Sequence, residues 1–150
     1  MAALLEVQGL NAWYGESHVL HGVDMRVGEG ETITILGRNG VGKTTTLRTI
    51  TGIVRSRKGK ISFAGSDMMQ VPLHKTAHRG IGFVPEDRRR QSIIPDLSVR
   101  ENLLLAHLGA HRGFGLAYGK REQKVQELLA MLGLPSERLL DASMLNFSGG

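Results

Sequence analysis

The chain has 150 residues, 41% hydrophobic and 22% charged, the balance of an ordinary soluble globular domain long enough to bury a core. It has no cysteine, which excludes disulfides and thiolate metal sites, and no apolar run suited to a membrane span or secretory leader, so a cytoplasmic location is expected. The net charge of +5 raises nucleic acid as a partner, but the densest basic cluster, Arg88-Arg89-Arg90, has no interleaved aromatic residue to stack on bases; it reads as a solvated segment, and no nucleic-acid partner is expected.

Leu5 and Val7 alternate with Glu6 and Gln8, and Val23, Met25 and Val27 alternate with Asp24 and Arg26, so two strands with one buried face are predicted. Gly28-Glu29-Gly30 forms a turn, and residues 31–36, Glu-Thr-Ile-Thr-Ile-Leu, alternate β-branched side chains as a third strand. Directly after it stands Gly37-Arg38-Asn39-Gly40-Val41-Gly42-Lys43-Thr44, a complete G-x-x-x-x-G-K-[ST] phosphate loop. Thr45-Thr46-Leu47-Arg48-Thr49-Ile50 continues it as a helix that Gly52 ends. Strand, loop and helix together are the context that the motif requires. Its glycines let the backbone curl around phosphates, with N–H groups pointing inward at a helix N-terminus. Lys43 then reaches the β- and γ-phosphates and the Thr44 hydroxyl is placed for Mg²⁺, so binding of a nucleoside triphosphate is expected.

Further along, Ile61 and Phe63 share a face between Gly59 and Gly65 as another strand, and Pro72 opens a short helix over 73–78. His74 and His78 are spaced i,i+4 on it, with no acidic ligand beside them; an exposed helix face is the reading, not a metal site. Ile81-Gly82-Phe83-Val84 is predicted as a buried strand stopped by Pro85. Ser98-Val99-Arg100-Glu101 is a capping box that starts a helix over 99–108. Val125, Leu128, Leu129 and Leu132 recur at helical spacing before Gly133 and Pro135, and His111-Arg112-Gly113-Phe114-Gly115 is expected as a mobile loop between the two helices.

A phosphate loop alone leaves kinases, GTPases, recombinases and transport ATPases open. Trp13-Tyr14-Gly15 upstream, then Val84-Pro85-Glu86-Asp87, Leu97-Ser98-Val99-Arg100-Glu101-Asn102-Leu103 and Asn146-Phe147-Ser148-Gly149-Gly150 downstream, narrow the choice. In that order they resemble the ATP-binding subunit of ABC transporters, over essentially the whole chain. The phrases Leu20-His21-Gly22-Val23-Asp24, Gly37 through Leu47 and Gly80-Ile81-Gly82-Phe83-Val84-Pro85-Glu86-Asp87 look most like the ATPases of branched-chain amino acid importers, although Val-Pro-Glu-Asp-Arg also occurs in sugar-importer ATPases.

The resemblance implies an α/β fold of the P-loop NTPase type, an ABC nucleotide-binding domain over residues 1–150. A core of mixed sheet would run to about residue 97, and part of a helical subdomain from about 98 onward. It implies ATP and Mg²⁺ as ligands, with Tyr14 as the adenine platform and Gly37, Arg38, Asn39, Gly40, Val41, Gly42, Lys43, Thr44 and Thr45 around the phosphates. Glu86 stands where most ABC ATPases carry glutamine, beside Mg²⁺ and the attacking water. Ser148-Gly149-Gly150 matches the signature, with Phe147 in place of the usual leucine, and would cap a γ-phosphate held by the opposite subunit. Lys43, Glu86 and Ser148 are thus the implied catalytic residues, and Thr44 and Glu86 the implied metal ligands.

The implied partners are a second ABC ATPase subunit and integral membrane permease subunits that hold the protein at the inner face of the membrane. Hydrolysis also needs an aspartate for Mg²⁺ and a carboxylate for the attacking water, on an apolar strand after the signature. No such strand follows Gly150, so the sequence reads as the first part of a longer ATPase, expected to bind nucleotide without turning it over and to leave an unpaired apolar edge. Two other classes remain open: a soluble ABC ATPase of translation or DNA repair, and a non-hydrolysing nucleotide-binding module.

Overall fold

Alternating apolar and polar side chains produce two long strands, β1 (Ala3–Tyr14) and β2 (Ser17–Gly28), paired antiparallel in a computed structural model that describes residues 3–110, 118–133 and 140–143. The alternation changes phase within each strand. In β1 the inward residues are Val7, then Leu10 and Ala12, because an extra residue at Gln8-Gly9 makes a bulge where the register shifts. The Asp24 carboxylate accepts the Gly9 N–H at 2.6 Å, which satisfies a donor that the irregular ladder leaves over.

β3 (Arg57–Phe63) pairs with the other edge of β1, and β4 (Ser66–Asp67) closes a hairpin on β3, giving the order β2-β1-β3-β4. Gly59 lies where β3 crosses the bulge: a Cβ there would stand 2.6 Å from the Gly9 carbonyl oxygen and 2.7 Å from that of Gln8. Only glycine fits so close to two backbone oxygens. Helix α1 (Lys43–Ile50) packs on the inward face, and Val7, Leu10, Ala12, Leu20, Ile50, Val54, Ile61 and Met68 form the core. Pro72 opens a single helical turn, α2 (Leu73–Thr76), which tightens into a 3₁₀ turn (Ala77–Arg79) before Gly80.

Two expected strands do not form. Residues 31–36 and 81–85 belong to no ladder among the described residues, and the paired sheet is wholly antiparallel where a mixed one was expected. Both have the β-branched and apolar character of strands, but that preference becomes structure only against a neighbouring strand. Leu36 and Val84 stand in solvent, 85% and 78% exposed, whereas Ile81 packs against the core and Pro85 is buried.

The described residues divide into two units, the first ending at Phe83 and the second beginning at Val84. The second holds α3 (Arg88–Gln91), α4 (Val99–Ala110) and α5 (Tyr118–Leu132). The capping box forms as predicted: Glu101 accepts the Ser98 N–H and hydroxyl at 2.8 Å each, while the Glu101 N–H donates to Ser98 Oγ at 3.3 Å. These bonds hold the Glu101 carboxyl below its ordinary value, the Ser98 backbone N–H foremost. The Val99 and Arg100 N–H groups donate to the Ala142 and Leu140 carbonyls, and the Arg100 guanidinium pairs with Glu122 of α5 and Asp141, so residues 140–142 close over the start of α4. Val125, Leu129 and Leu140 are the buried apolar cluster of this unit. The predicted 111–115 loop and Pro135 lie outside the described residues.

Candidate functional site

The phosphate loop is built by glycines in conformations closed to other residues. Gly37, Gly40 and Gly42 take φ of 154°, 86° and 98°, and Gly42 is the N-cap of α1. A Cβ on Gly42 would also stand 2.9 Å from Leu20 Cδ2 and 3.7 Å from the Val19 carbonyl oxygen, so β2 is the backstop of the loop. The first intrahelical bond runs from the Thr46 N–H to the Gly42 carbonyl at 2.7 Å. The N–H groups of Lys43, Thr44 and Thr45 therefore precede the helical ladder, where a helix supplies no acceptor of its own.

Nothing within the helix neutralises that end. No side chain caps it and no acid lies in the first turn, whereas most helices carry Ser, Thr, Asp or Asn at the cap. An uncompensated positive pole with N–H groups pointing outward suits an anion from outside the protein. The Lys43 ammonium turns back over the loop, donating to the Gly37 carbonyl at 2.8 Å and that of Arg38 at 3.0 Å. A cation thus already sits within the curl of the loop. Thr44 is exposed on the first turn, where its hydroxyl is accessible to a metal ion held beside an anion. The residues present therefore fit a polyphosphate with a divalent cation.

Tyr14 ends β1 and is half exposed, joined to Ser17 of β2 by the turn at Gly15-Glu16. Two residues along β2, about 7 Å in an extended strand, Val19 and Leu20 meet Gly42. The tyrosine turn and the phosphate loop are accordingly brought to one end of β2. The neighbouring Trp13 ring is engaged elsewhere: it stacks on His18 with centroids 4.4 Å apart and has Lys58 over it at 5.7 Å, which leaves Tyr14 as the open ring. Arg38, Asn39, Gly40 and Val41 are exposed along the outer rim of the loop, and Thr45 is partly buried in the first turn.

Glu86 is exposed in the second unit, next to Asp87, whose carboxylate accepts the Arg90 N–H at 3.2 Å. Ser148, Gly149 and Gly150 lie outside the described residues. His74 and His78 are exposed. Leu20 is the residue whose role in the site the sequence did not disclose; a buried strand leucine resembles any other until the partner across the core is known.

Comparison with known proteins decides the family. The ABC transporter family model matches residues 20–150. The chain belongs to the ABC transporter family. It is 36% identical over 127 residues to the lipopolysaccharide export system ATP-binding protein LptB of Haemophilus influenzae, covering 85% of this chain and 50% of that one. To the ribose import ATP-binding protein RbsA of a Ruegeria species it is 34% identical over 146 residues, 95% of this chain and 28% of that one. The chain thus spans half or less of the length of these two ABC relatives. It also resembles the dimeric structure of the ATP-binding cassette MJ0796 in a post-hydrolysis state bound to ADP and Pi, with TM-score 0.78 and 25% identity over 97% of this chain and 63% of that one. The fold is that of an ABC ATPase nucleotide-binding domain of the P-loop NTPase class.

Proposed function

We propose that the chain binds MgATP as the nucleotide-binding part of an ABC transporter ATPase. The carrying observation is the uncapped N-terminus of α1 beneath a glycine loop that already holds the Lys43 ammonium. Gly37, Arg38, Asn39, Gly40, Val41, Gly42, Lys43, Thr44 and Thr45 would surround the phosphates, Tyr14 would stack on adenine, and Thr44 with Glu86 would hold Mg²⁺. Mg²⁺ supplies charge neutralisation between the phosphates when bound. Titration with a fluorescent ATP analogue tests the reading: Lys43→Ala is expected to remove most of the affinity, and unchanged binding in that variant would refute it.

In the proposed assembly the protein pairs with a second ABC ATPase subunit, for which Ser148-Gly149-Gly150 caps the γ-phosphate, and permease subunits hold the pair at the cytoplasmic face of the membrane. The core would extend to about residue 97 and the helical subdomain begin near 98. Residues 1–150 by themselves are expected to bind ATP without hydrolysing it. For cargo, the phrases at 20–24, 37–47 and 80–87 favour branched-chain or related amino acids, whereas the relatives named above serve lipopolysaccharide export and ribose import. Uptake assays in cells lacking the gene separate the cargoes: loss of leucine uptake supports the amino-acid reading, and loss of ribose uptake alone refutes it.

A further inference from the structure

Arg57 is the first residue of β3, and its side chain leaves the sheet to end against the far terminus of the phosphate helix. Its guanidinium donates to the Thr49 carbonyl in the last turn of α1, and through Nη2 to the Met68 and Met69 carbonyls at 2.9 and 3.0 Å. Burial of this guanidinium pulls its pKa below the ordinary arginine value, against the opposing attraction of Asp67. Placing a charge there is costly unless its donors are satisfied, and three carbonyls satisfy them. One of the three belongs to the partially negative end of α1, where a cation is favoured.

The backbone of the same residue is tied to the other half of the site. Arg57 pairs with Ala12 in the β1–β3 ladder, and the adjacent Ser56 carbonyl accepts the Trp13 N–H at 2.9 Å. Tyr14 follows immediately on β1. Arg57 therefore grips the strand that presents the tyrosine ring with its main chain and the helix that presents the phosphate-binding N–H groups with its side chain.

We infer that Arg57 is a positioning residue that sets the spacing between the base platform at Tyr14 and the phosphate cradle at Lys43, Thr44 and Thr45. The inference rests on the nucleotide-site reading above. A bipartite ligand gains affinity from its second half only if both halves of its site stand at the right separation. Shifting one end of an eight-residue helix disturbs that separation while leaving each half-site intact. Lysine cannot replace the fork, because a single ammonium does not span carbonyls on two separate segments as a planar guanidinium does.

The test uses the whole chain and three ligands: MgATP, adenosine and inorganic tripolyphosphate with Mg²⁺. Titration of Arg57→Lys and Arg57→Met, each at a temperature where circular dichroism shows it folded, is expected to weaken MgATP at least tenfold. Adenosine and tripolyphosphate, which each occupy one half, should change by less than threefold. Arg57→Lys keeps the charge and the stem, so it stays measurable if Arg57→Met does not fold. If the wild-type chain binds no MgATP, the nucleotide-site reading itself is overturned and the inference with it. If the wild type binds and Arg57→Lys holds MgATP within twofold, the inference alone is overturned. Equal weakening of all three ligands also overturns it, since that is the signature of a residue acting only through stability.

Discussion

Replacing Gly42 with alanine adds one carbon to the phosphate loop, and the structure gives that carbon two separate costs. The first is conformational: at φ 98° an L-residue is forced into left-handed backbone, about 1–2 kcal/mol. The second is steric, because the new Cβ would stand 2.9 Å from Leu20 Cδ2, and Leu20 is only 3% exposed. Displacing a packed leucine costs about 1–3 kcal/mol. Together the expected loss is about 2–5 kcal/mol, a large share of a typical domain stability of about 5–15 kcal/mol. Alanine at an N-cap offers no compensating hydrogen bond. Urea melts of wild type, Gly42→Ala, Leu20→Ala and the double variant measure it. Relief of the steric part should make the double variant more stable than the sum of the singles by about 1–3 kcal/mol. Strict additivity, or a Gly42→Ala variant within 0.5 kcal/mol of wild type on the scale of about ±0.5 kcal/mol found for uninvolved surface sites, would refute the backstop role of Leu20.

Tyr14→Ala is expected to weaken ATP and ADP alike by about 1 kcal/mol, roughly fivefold, because a stacked ring does not sense the γ-phosphate; a loss confined to ATP in the same titrations would contradict the platform role. The β3–β4 hairpin turns at Ala64-Gly65 with φ of 46° and 74°, and Ala64→Asn should stabilise the chain by about 1 kcal/mol in urea melts, since asparagine adopts that backbone at lower cost than alanine; a fall in midpoint would count against the turn geometry. Glu101 and Glu122 are held below the ordinary 4.5, by Ser98 and by Arg100 respectively. Below that pH the unfolded chain binds protons that the folded carboxylates refuse, so their contribution is complete above about pH 4.5 and fades as pH falls through the lower folded values. Glu101→Gln and Glu122→Gln should each flatten the acid limb of a thermal-melt series, and an unchanged limb would show that neither carboxylate is linked to folding.

Local rules reached a long way into this chain. The phosphate loop was legible because it is continuous in sequence and its glycines answer to backbone conformation alone; the Ser98–Glu101 capping box and the Gly52 and Gly133 terminators were legible for the same reason. Tyr14 was reached through family resemblance, and the structure adds that Trp13 beside it is engaged by His18. Where the reading went astray, the missing information was a neighbour. Residues 31–36 and 81–85 have strand composition, yet a strand exists only as half of a pair, and among the described residues neither has its other half.

Tertiary structure decided the features that bring distant residues together. The bulge at Gln8-Gly9 shifts the buried face of β1 from the Val7 phase to the Leu10 phase, which alternation alone places wrongly; the donor it leaves over finds its acceptor fifteen residues away at Asp24. Leu20 is a backstop because β2 passes behind the loop, and Arg57 reaches α1 because the β1–β3 ladder sets where its side chain begins. Sequence alone determined the chemistry of the loop, since hydrogen-bond donors and φ angles are carried by consecutive residues. The spacing between that loop and the ring at Tyr14 depends on contacts between residues far apart in the chain, and only packing sets it.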